Sequence, residues 1–204
     1  PTGLQHAMGT VIVNGKQVEI GPDEQLNAIQ AAQRAGVEIP HYCWHPALTV
    51  VASCRMCLIE TGQTKPDGTV AMLPKLVPGC QTPVKDGMVI VSDSEKVEAA
   101  QAATLEYLLL NHPLDCPVCD QAGECFLQDY SYRFGRGYSR LQEPKLKKPD
   151  KTNIGDQITL FTDRCVMCTR CVRFTREISG TGELQVIQRG SHAEIDIFPG
   201  EPCN

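Results

Sequence analysis

The 204-residue sequence is poor in several features, and each shortage excludes a class of function. Aromatic residues make up only 5% of it, with a single tryptophan, so its core must be built chiefly from aliphatic side chains. No run of 18 apolar residues occurs. The longest apolar-leaning stretch, residues 99–110, is broken by Gln101, Thr104 and Glu106, so no membrane-spanning helix is encoded. Basic residues are not in excess: 19 Lys and Arg against 24 Asp and Glu leave a net charge of −5, which offers no electrostatic basis for binding nucleic acid. A dinucleotide loop is missing too. Gly135-Arg136-Gly137 and Gly180-Thr181-Gly182 are bare triplets without the third glycine or the strand-to-helix setting. No Ser-His-Asp set and no paired carboxylates stand out as catalytic machinery. Residues 1–9 carry no Lys or Arg, so they do not read as a transit peptide, and Met8 reads as the start of the natural chain.

What the sequence has is cysteine, eleven in all. An odd count, tight C-x2-C pairs and no signal peptide point to metal ligation in a reducing interior rather than to disulfides. Ten of the eleven fall into three groups. The first is Cys43, Cys54, Cys57 and Cys80: three from one loop and a remote fourth, the logic of a plant-type [2Fe–2S] site with a longer first gap. A four-cysteine zinc site is the inert alternative, but such sites usually pair two short knuckles and here there is one. With four cysteines completing that site, His45 reads as a loop residue beside it. The second group is His112, Cys116, Cys119 and Cys125, where three thiolates need a fourth donor and the imidazole can supply it. By spacing alone this set also fits zinc held by three cysteines and one histidine. Gly123 would let the backbone pass close to an inorganic sulfide. The third, Cys165, Cys168 and Cys171, is a C-x2-C-x2-C run that clamps one face of a cubane, with its fourth ligand expected from a distant Cys-Pro. The local fourth position holds Thr175. Cys203 is left over, and Asn204 rather than proline follows it, which favours a ligand beyond residue 204.

The segments around these groups read as α+β. Two alternating stretches within residues 10–20 flank Asn14-Gly15, the signature of a type I′ hairpin. Asp23 is expected to cap a helix over 24–35, with Leu26, Ile29, Ala32 and Ala35 at helical spacing and Gly36 as its stop. Strands are expected at 58–61, 70–73 and 88–91. This makes a ferredoxin-like β-grasp domain over residues 9–92. Ser92 and Glu95 have capping-box spacing ahead of a helix over 93–111, with Leu105, Leu108 and Leu109 as its core face. A second helix from about Gln121 to Phe134 should carry Cys125 on its first turns, closing a helical cluster segment over 93–134. Residues 135–153 read as a surface connector whose Lys145, Lys147, Lys148 and Lys151 are solvated. A strand at 157–161, a helix from the third cysteine loop through Ile178 and a strand pair at 184–188 and 193–198 complete a ferredoxin-like segment over 135–204.

The combination resembles the N-terminal region of the large iron–sulfur subunit (chain 3) of NADH:quinone oxidoreductase, respiratory complex I. The residues that carry it are His41-Tyr42-Cys43-Trp44-His45 with the rest of the first set, His112-Pro113-Leu114-Asp115-Cys116-Pro117-Val118-Cys119-Asp120 through Cys125, and Arg164-Cys165-Val166-Met167-Cys168-Thr169-Arg170-Cys171-Val172-Arg173. Gly180-Thr181-Gly182-Glu183-Leu184 is also similar to the family. The resemblance implies a [2Fe–2S] cluster, a [4Fe–4S] cluster on His112 and three cysteines, and a further [4Fe–4S] cluster whose last ligand lies beyond this chain. It also implies single-electron relay from a flavin/NADH-binding partner subunit toward quinone, among other peripheral-arm subunits. The setting it implies is the cytoplasmic face of the bacterial inner membrane or the mitochondrial matrix side. Modules of iron-only hydrogenases and of the diaphorase part of NAD-reducing hydrogenases are the alternative within the redox class, and a structural multi-zinc interaction module is the alternative outside it.

Overall fold

The computed structural model describes residues 9–151 and 154–203; the start expected at Met8, the last two connector residues and Asn204 lie outside them. The chain divides into two compact units, one formed by residues up to His41 with Arg55–Ala102, the other by Tyr42–Cys54 with the residues from Ala103 onward.

The first unit is built on a mixed sheet. Strands β1 (Gly9–Val13) and β2 (Lys16–Ile20) pair antiparallel around Asn14 and Gly15, with Val13 opposite Lys16. Both turn residues have positive φ, 47° and 78°, as the expected type I′ hairpin requires. Strands β3 (Leu58–Thr64), β4 (Val70–Met72), β5 (Val77–Pro78) and β6 (Met88–Val91) complete the order β2-β1-β6-β3-β4, with β5 also on β3. β1 and β6 run parallel, and the other pairs are antiparallel. Alternate side chains make one buried face: Val11 and Val13, Val18 and Ile20, Ile59 and Thr61, Met88 and Ile90. Helix α1 (Ala28–Arg34) buries Ile29, Ala31 and Ala32. The core is aliphatic, as the composition requires, and each buried Val or Ile contributes about 1.5–3 kcal/mol.

α1 begins four residues later than expected, and Asp23 is not its cap. The backbone ahead of it is engaged in extended pairing: Ala28 N–H donates to Thr82 O (3.0 Å), Val84 N–H donates to Leu26 O (2.9 Å), and Asn27 bridges Pro83. Asn27 is the N-cap. Its Oδ1 accepts from Gln30 N–H while Gln30 Oε1 accepts from Asn27 N–H, each at 3.0 Å, a complete capping box. Ser92 is likewise not the cap of helix α2 (Glu95–Leu109). It is tied to the hairpin turn, donating its N–H to Asn14 Oδ1 (2.9 Å) and accepting from Asn14 Nδ2 (3.0 Å). Ser94 Oγ takes the capping role instead, accepting from Val97 N–H (3.3 Å).

The second unit has less regular structure. Helix α3 spans Phe126–Phe134, helix α4 spans Arg170–Phe174 and runs on as a π turn over Thr175–Ser179, and strands β7 (Leu184–Ile187) and β8 (Glu194–Ile197) pair antiparallel. The few aromatics gather here: Tyr130 stacks on Phe126 and meets Tyr42 and Phe134 edge-on at 5.5–5.7 Å. No strand forms at 157–161; only Leu160 bridges Lys151 before a 3-10 turn at Thr162–Arg164. The connector lysines are not a solvated run either. Lys145 Nζ donates to the carbonyls of Leu109 (2.7 Å) and Leu110 (2.9 Å), satisfying the end of α2, and Lys148 Nζ donates to Ala193 O (2.5 Å). Lys151 pairs with Asp196 (2.7 Å) and Glu194 (3.1 Å), leaving only Lys147 exposed without such a role.

Candidate metal centres

In the first set, Cys57 precedes β3 and Cys80 lies in a 3-10 turn, Gly79–Gln81, that follows β5. Pairing of Leu58 with Pro78, plus Gly79 N–H donating to Cys57 O (2.7 Å), brings these two buried cysteines alongside each other. Cys43 and Cys54 belong to the second unit, Cys43 buried and Cys54 half-buried. The loop around Cys54 holds Ala52 and Arg55 in left-handed conformation, φ 49° and 59°. Such residues disfavour the fold locally by about 1–2 kcal/mol each, which suits a loop shaped around a ligand. His45 is exposed and accepts from Ala47 N–H (3.2 Å), a loop residue as read from the sequence.

The second set is gathered completely. His112, Cys116, Cys119 and Cys125 all line one cavity of about 400 Å³ between the end of α2, the 3-10 turn Cys116–Val118 and α3. Eight cluster atoms, taken at roughly the 30 Å³ share of a water molecule, would fill on the order of 240 Å³, so the cavity has room for a cubane. Burial, and then the charge of Lys145, hold the His112 imidazole below its ordinary pKa, which favours the neutral form with a free lone pair. Cys125 is the N-cap of α3 rather than a residue of its first turns, so its sulfur sits at the positive end of the helix dipole. Gly123 has φ 87°, and no protein atom lies within 4 Å of where a Cβ would stand. Lys145, Arg136, Arg140 and Arg164 also line the cavity, with Glu106 pairing Arg136 and Arg140 and Asp115 pairing Arg164, so that Lys145 is the cation there held by carbonyls alone.

In the third set, Met167 and Thr169 are left-handed, φ 52° and 58°, and the loop turns Met167 N–H onto Cys165 Sγ (3.3 Å). A backbone N–H turned onto sulfur in this way favours the thiolate there. Burial pushes the thiols of Cys165 and Cys171 up. Cys203 stands half-buried, its Sγ 3.5 Å from Glu183 Oε1, and its thiol is likewise raised by burial and by that carboxylate.

Sequence reading gave no role to the cations that flank the cysteines. Arg164 bonds Asp115 (3.1 and 3.2 Å), joining residues next to Cys165 and Cys116. Arg170 donates to Trp44 O (2.6 Å), beside Cys43. Arg173, 4% exposed, donates to the carbonyls of Cys43, Thr49 (2.6 Å) and Cys168 (3.2 Å). Tyr42 O–H donates to Phe126 O (3.5 Å), next to Cys125. Their immediate adjacency to cysteines was the available signal. Among the described residues, no three His, Cys, Asp or Glu side chains converge on one point. A zinc ion requires that convergence, at about 2.3 Å for sulfur. A [4Fe–4S] cluster instead binds its four ligands through four different irons, so the donors stand apart.

Three family models match. Residues 7–95 match a 2Fe-2S iron-sulfur cluster binding domain, and residues 101–140 match the NADH-ubiquinone oxidoreductase-G iron-sulfur binding region. Residues 155–204 match the ferredoxin-like domain of NADH-quinone oxidoreductase subunit 3. The chain is 42% identical over 186 residues to the NADH-quinone oxidoreductase-G polypeptide of Rickettsia felis, and 43% identical over the same length to that of Rickettsia conorii. Each match covers 91% of this chain but 26% of the relative, so the chain spans about a quarter of their length. A crystal structure of an NAD+-reducing [NiFe]-hydrogenase superposes with a TM-score of 0.77 at 27% identity, over 93% of this chain and 74% of the other. The chain thus carries a [2Fe–2S]-binding domain followed by [4Fe–4S]-binding regions.

Proposed function

Because this chain belongs to the NADH-quinone oxidoreductase-G family, of which it comprises iron–sulfur regions, we propose that it relays single electrons inside that enzyme. The proposed path runs from an NADH-oxidising flavin on a partner subunit toward quinone. The assignment of ligands is Cys43, Cys54, Cys57 and Cys80 for the [2Fe–2S] cluster, and His112, Cys116, Cys119 and Cys125 for one [4Fe–4S] cluster. Cys165, Cys168 and Cys171 are assigned to the second, with its fourth ligand beyond residue 204. The observation that carries the reading is the cavity onto which all four donors of the second set open. When bound, the clusters supply reversible one-electron chemistry. The polypeptide supplies spacing, shielding and charge. Bonds between residues adjoining the ligands, Arg164 to Asp115, Tyr42 to Phe126 and Arg173 to Cys43, fix the donor-bearing segments of the second unit against one another.

Among the described residues no helix is long and apolar enough to cross a membrane. The proposed setting is peripheral, on the cytoplasmic face of a bacterial inner membrane or the matrix side of a mitochondrial one, against the flavin-bearing partner and other peripheral-arm subunits. The superposition on the hydrogenase favours a second reading, an electron-transfer module of an NAD-reducing hydrogenase, but 42% identity against 27% favours the first. The test is low-temperature EPR of the assembled complex after mixing with NADH. Signals of this chain's clusters should appear on reduction. Clusters that stay oxidised while NADH is consumed would refute the relay.

A further inference from the structure

Arg173 is buried, yet no carboxylate is hydrogen-bonded to it. Its guanidinium donates to the carbonyls of Cys43, Thr49 and Cys168, and weakly to Thr169 Oγ1 (3.4 Å). Hydrogen bonding is satisfied by four neutral acceptors, whereas the charge is not neutralised by them. Taking an unpaired guanidinium out of water is strongly unfavourable unless an anion lies near. Glu177 is close enough to feel that charge and, bonded only by neutral Thr49 (N–H to Oε2 at 2.8 Å), keeps its own; being exposed, it offsets the guanidinium in part. The nearest further candidates are the sulfurs of the two cysteine sets whose main chain Arg173 grips at Cys43 and Cys168.

The placement is also mechanical. Residues 42–54 form no helix or strand. They are held from one side of α4 and its π extension: Arg170 takes Trp44 O, Arg173 takes Cys43 O and Thr49 O, and Glu177 takes Thr49 N–H. Positions 170, 173 and 177 follow helical spacing, so one face of the helix that carries Cys171 clamps the loop that carries Cys43. The same Arg173 also closes on Cys168 O at the start of that helix.

We propose that Arg173 is a positioning residue shared by the first and third cysteine sets, its buried positive charge stabilising the extra electron on both. The proposal rests on the ligand assignment above. One guanidinium hydrogen-bonds the carbonyl of a ligand residue in each set, so it is at most a hydrogen bond plus one residue away from both sulfurs, in surroundings that screen charge poorly. No hydrogen bond of Arg173 reaches the second set, which serves as an internal control.

The test uses the complete protein in its assembled complex, with Arg173→Gln and Arg173→Lys. Gln keeps donors but removes the charge; Lys keeps the charge but loses the planar fork. In EPR-monitored redox titration, Arg173→Gln should lower the midpoints of the first and third clusters together while the second stays put. Arg173→Lys should move both less than Gln does, and hydrogen exchange over residues 43–50 of the purified variant should quicken. A Gln variant in which one midpoint, none, or all three move equally would overturn the proposal. Should Gln fail to assemble, unchanged exchange over 43–50 in the Lys variant overturns it, and quickened exchange with near-parental midpoints supports it. Absence of iron from the parent protein would instead refute the ligand assignment itself.

Discussion

His112→Cys tests the least ordinary part of the ligand assignment. The change replaces a neutral imidazole with a thiolate at the mouth of the cavity lined by Cys116, Cys119 and Cys125. Four donors remain, so about four irons should be retained at that site. The redox consequence follows from one added negative charge. His112 is half-buried, and an effective dielectric of about 20 applies rather than the extremes of dry protein or water. A unit charge about 5 Å from the cluster centre then opposes the incoming electron by about 3 kcal/mol, or about 140 mV for a one-electron couple. That is a ceiling, because Lys145, bonded to carbonyls rather than to a carboxylate, lines the same cavity and offsets part of the added charge. The expected result in EPR-monitored titration is a downward shift of this one midpoint by some tens of millivolts up to that ceiling, in line with the effect of imidazole ligation in Rieske centres. His112→Ala should lose the cluster or leave it labile to chelators. An Ala variant with parental spectrum and midpoint would show that His112 is merely a residue past the end of α2.

Anaerobically reconstituted protein should hold iron and acid-labile sulfide in near-equal amounts, about six irons from the first two sets and about ten with the third; stoichiometric zinc without sulfide would overturn the redox reading. Cys203→Ser should leave iron content and EPR signals unchanged, since the thiol sits against Glu183 and lacks a following proline; loss of one [4Fe–4S] signal would make it the fourth ligand. Because burial raises the thiols of Cys165 and Cys171, loading the third set must expel protons, so its iron affinity should increase as pH rises through neutrality; a pH-independent affinity would contradict this. Asn27→Ala, which removes the capping box of α1, should lower stability by about 1 kcal/mol in urea unfolding, and an unchanged midpoint would show that the pairing of Asn27 with Pro83 alone fixes the helix start.

The elements legible in the sequence were those whose local signals do not compete with anything distant. Asn14-Gly15 between alternating segments produced its hairpin, and 58–61, 70–73, 88–91, 184–188 and 193–198 all hold strands near those bounds. Local signals failed where a remote segment claimed the same atoms. Residues 24–27 have helical periodicity, but Thr82 and Val84 take the backbone bonds that a longer α1 would have used. Ser92 has capping-box spacing, but Asn14 claims its hydroxyl and N–H. The strand expected at 157–161 has one bridging partner, Lys151, and no sheet to join. The ligand sets could be proposed from the sequence because most members of each fall close together, with Cys80 the remote exception. What spacing could not show was that Cys125 opens α3 rather than riding inside it.

Of the cations around the cysteines, the connector lysines were expected to be solvated and the arginines were given no role. In composition, Lys145 among prolines looks like a linker, and Arg164, Arg170 and Arg173 carry no signal of a partner. Their positions in the fold answer a different requirement. A cluster held by three or four thiolates is an anion, and a protein of net charge −5 has no surplus cation to spare for it. A cation about 7 Å away at an effective dielectric of about 20 is worth about 2 kcal/mol, a large share of a typical folding stability of about 5–15 kcal/mol. Few cations therefore suffice, provided they are held still. Each is held by main-chain oxygens or a single carboxylate: Lys145 by Leu109 and Leu110, Arg164 by Asp115, Arg173 by Cys43, Thr49 and Cys168. Neutral carbonyl partners fix a guanidinium without cancelling its charge, as a carboxylate would. The two arginines differ on this count, since Arg164 is paired with Asp115 while the hydrogen bonds of Arg173 all go to neutral acceptors. Glu177 acts on Arg173 only through space, so on the proposal above the charge beside Cys43 and Cys168 is the less neutralised of the two.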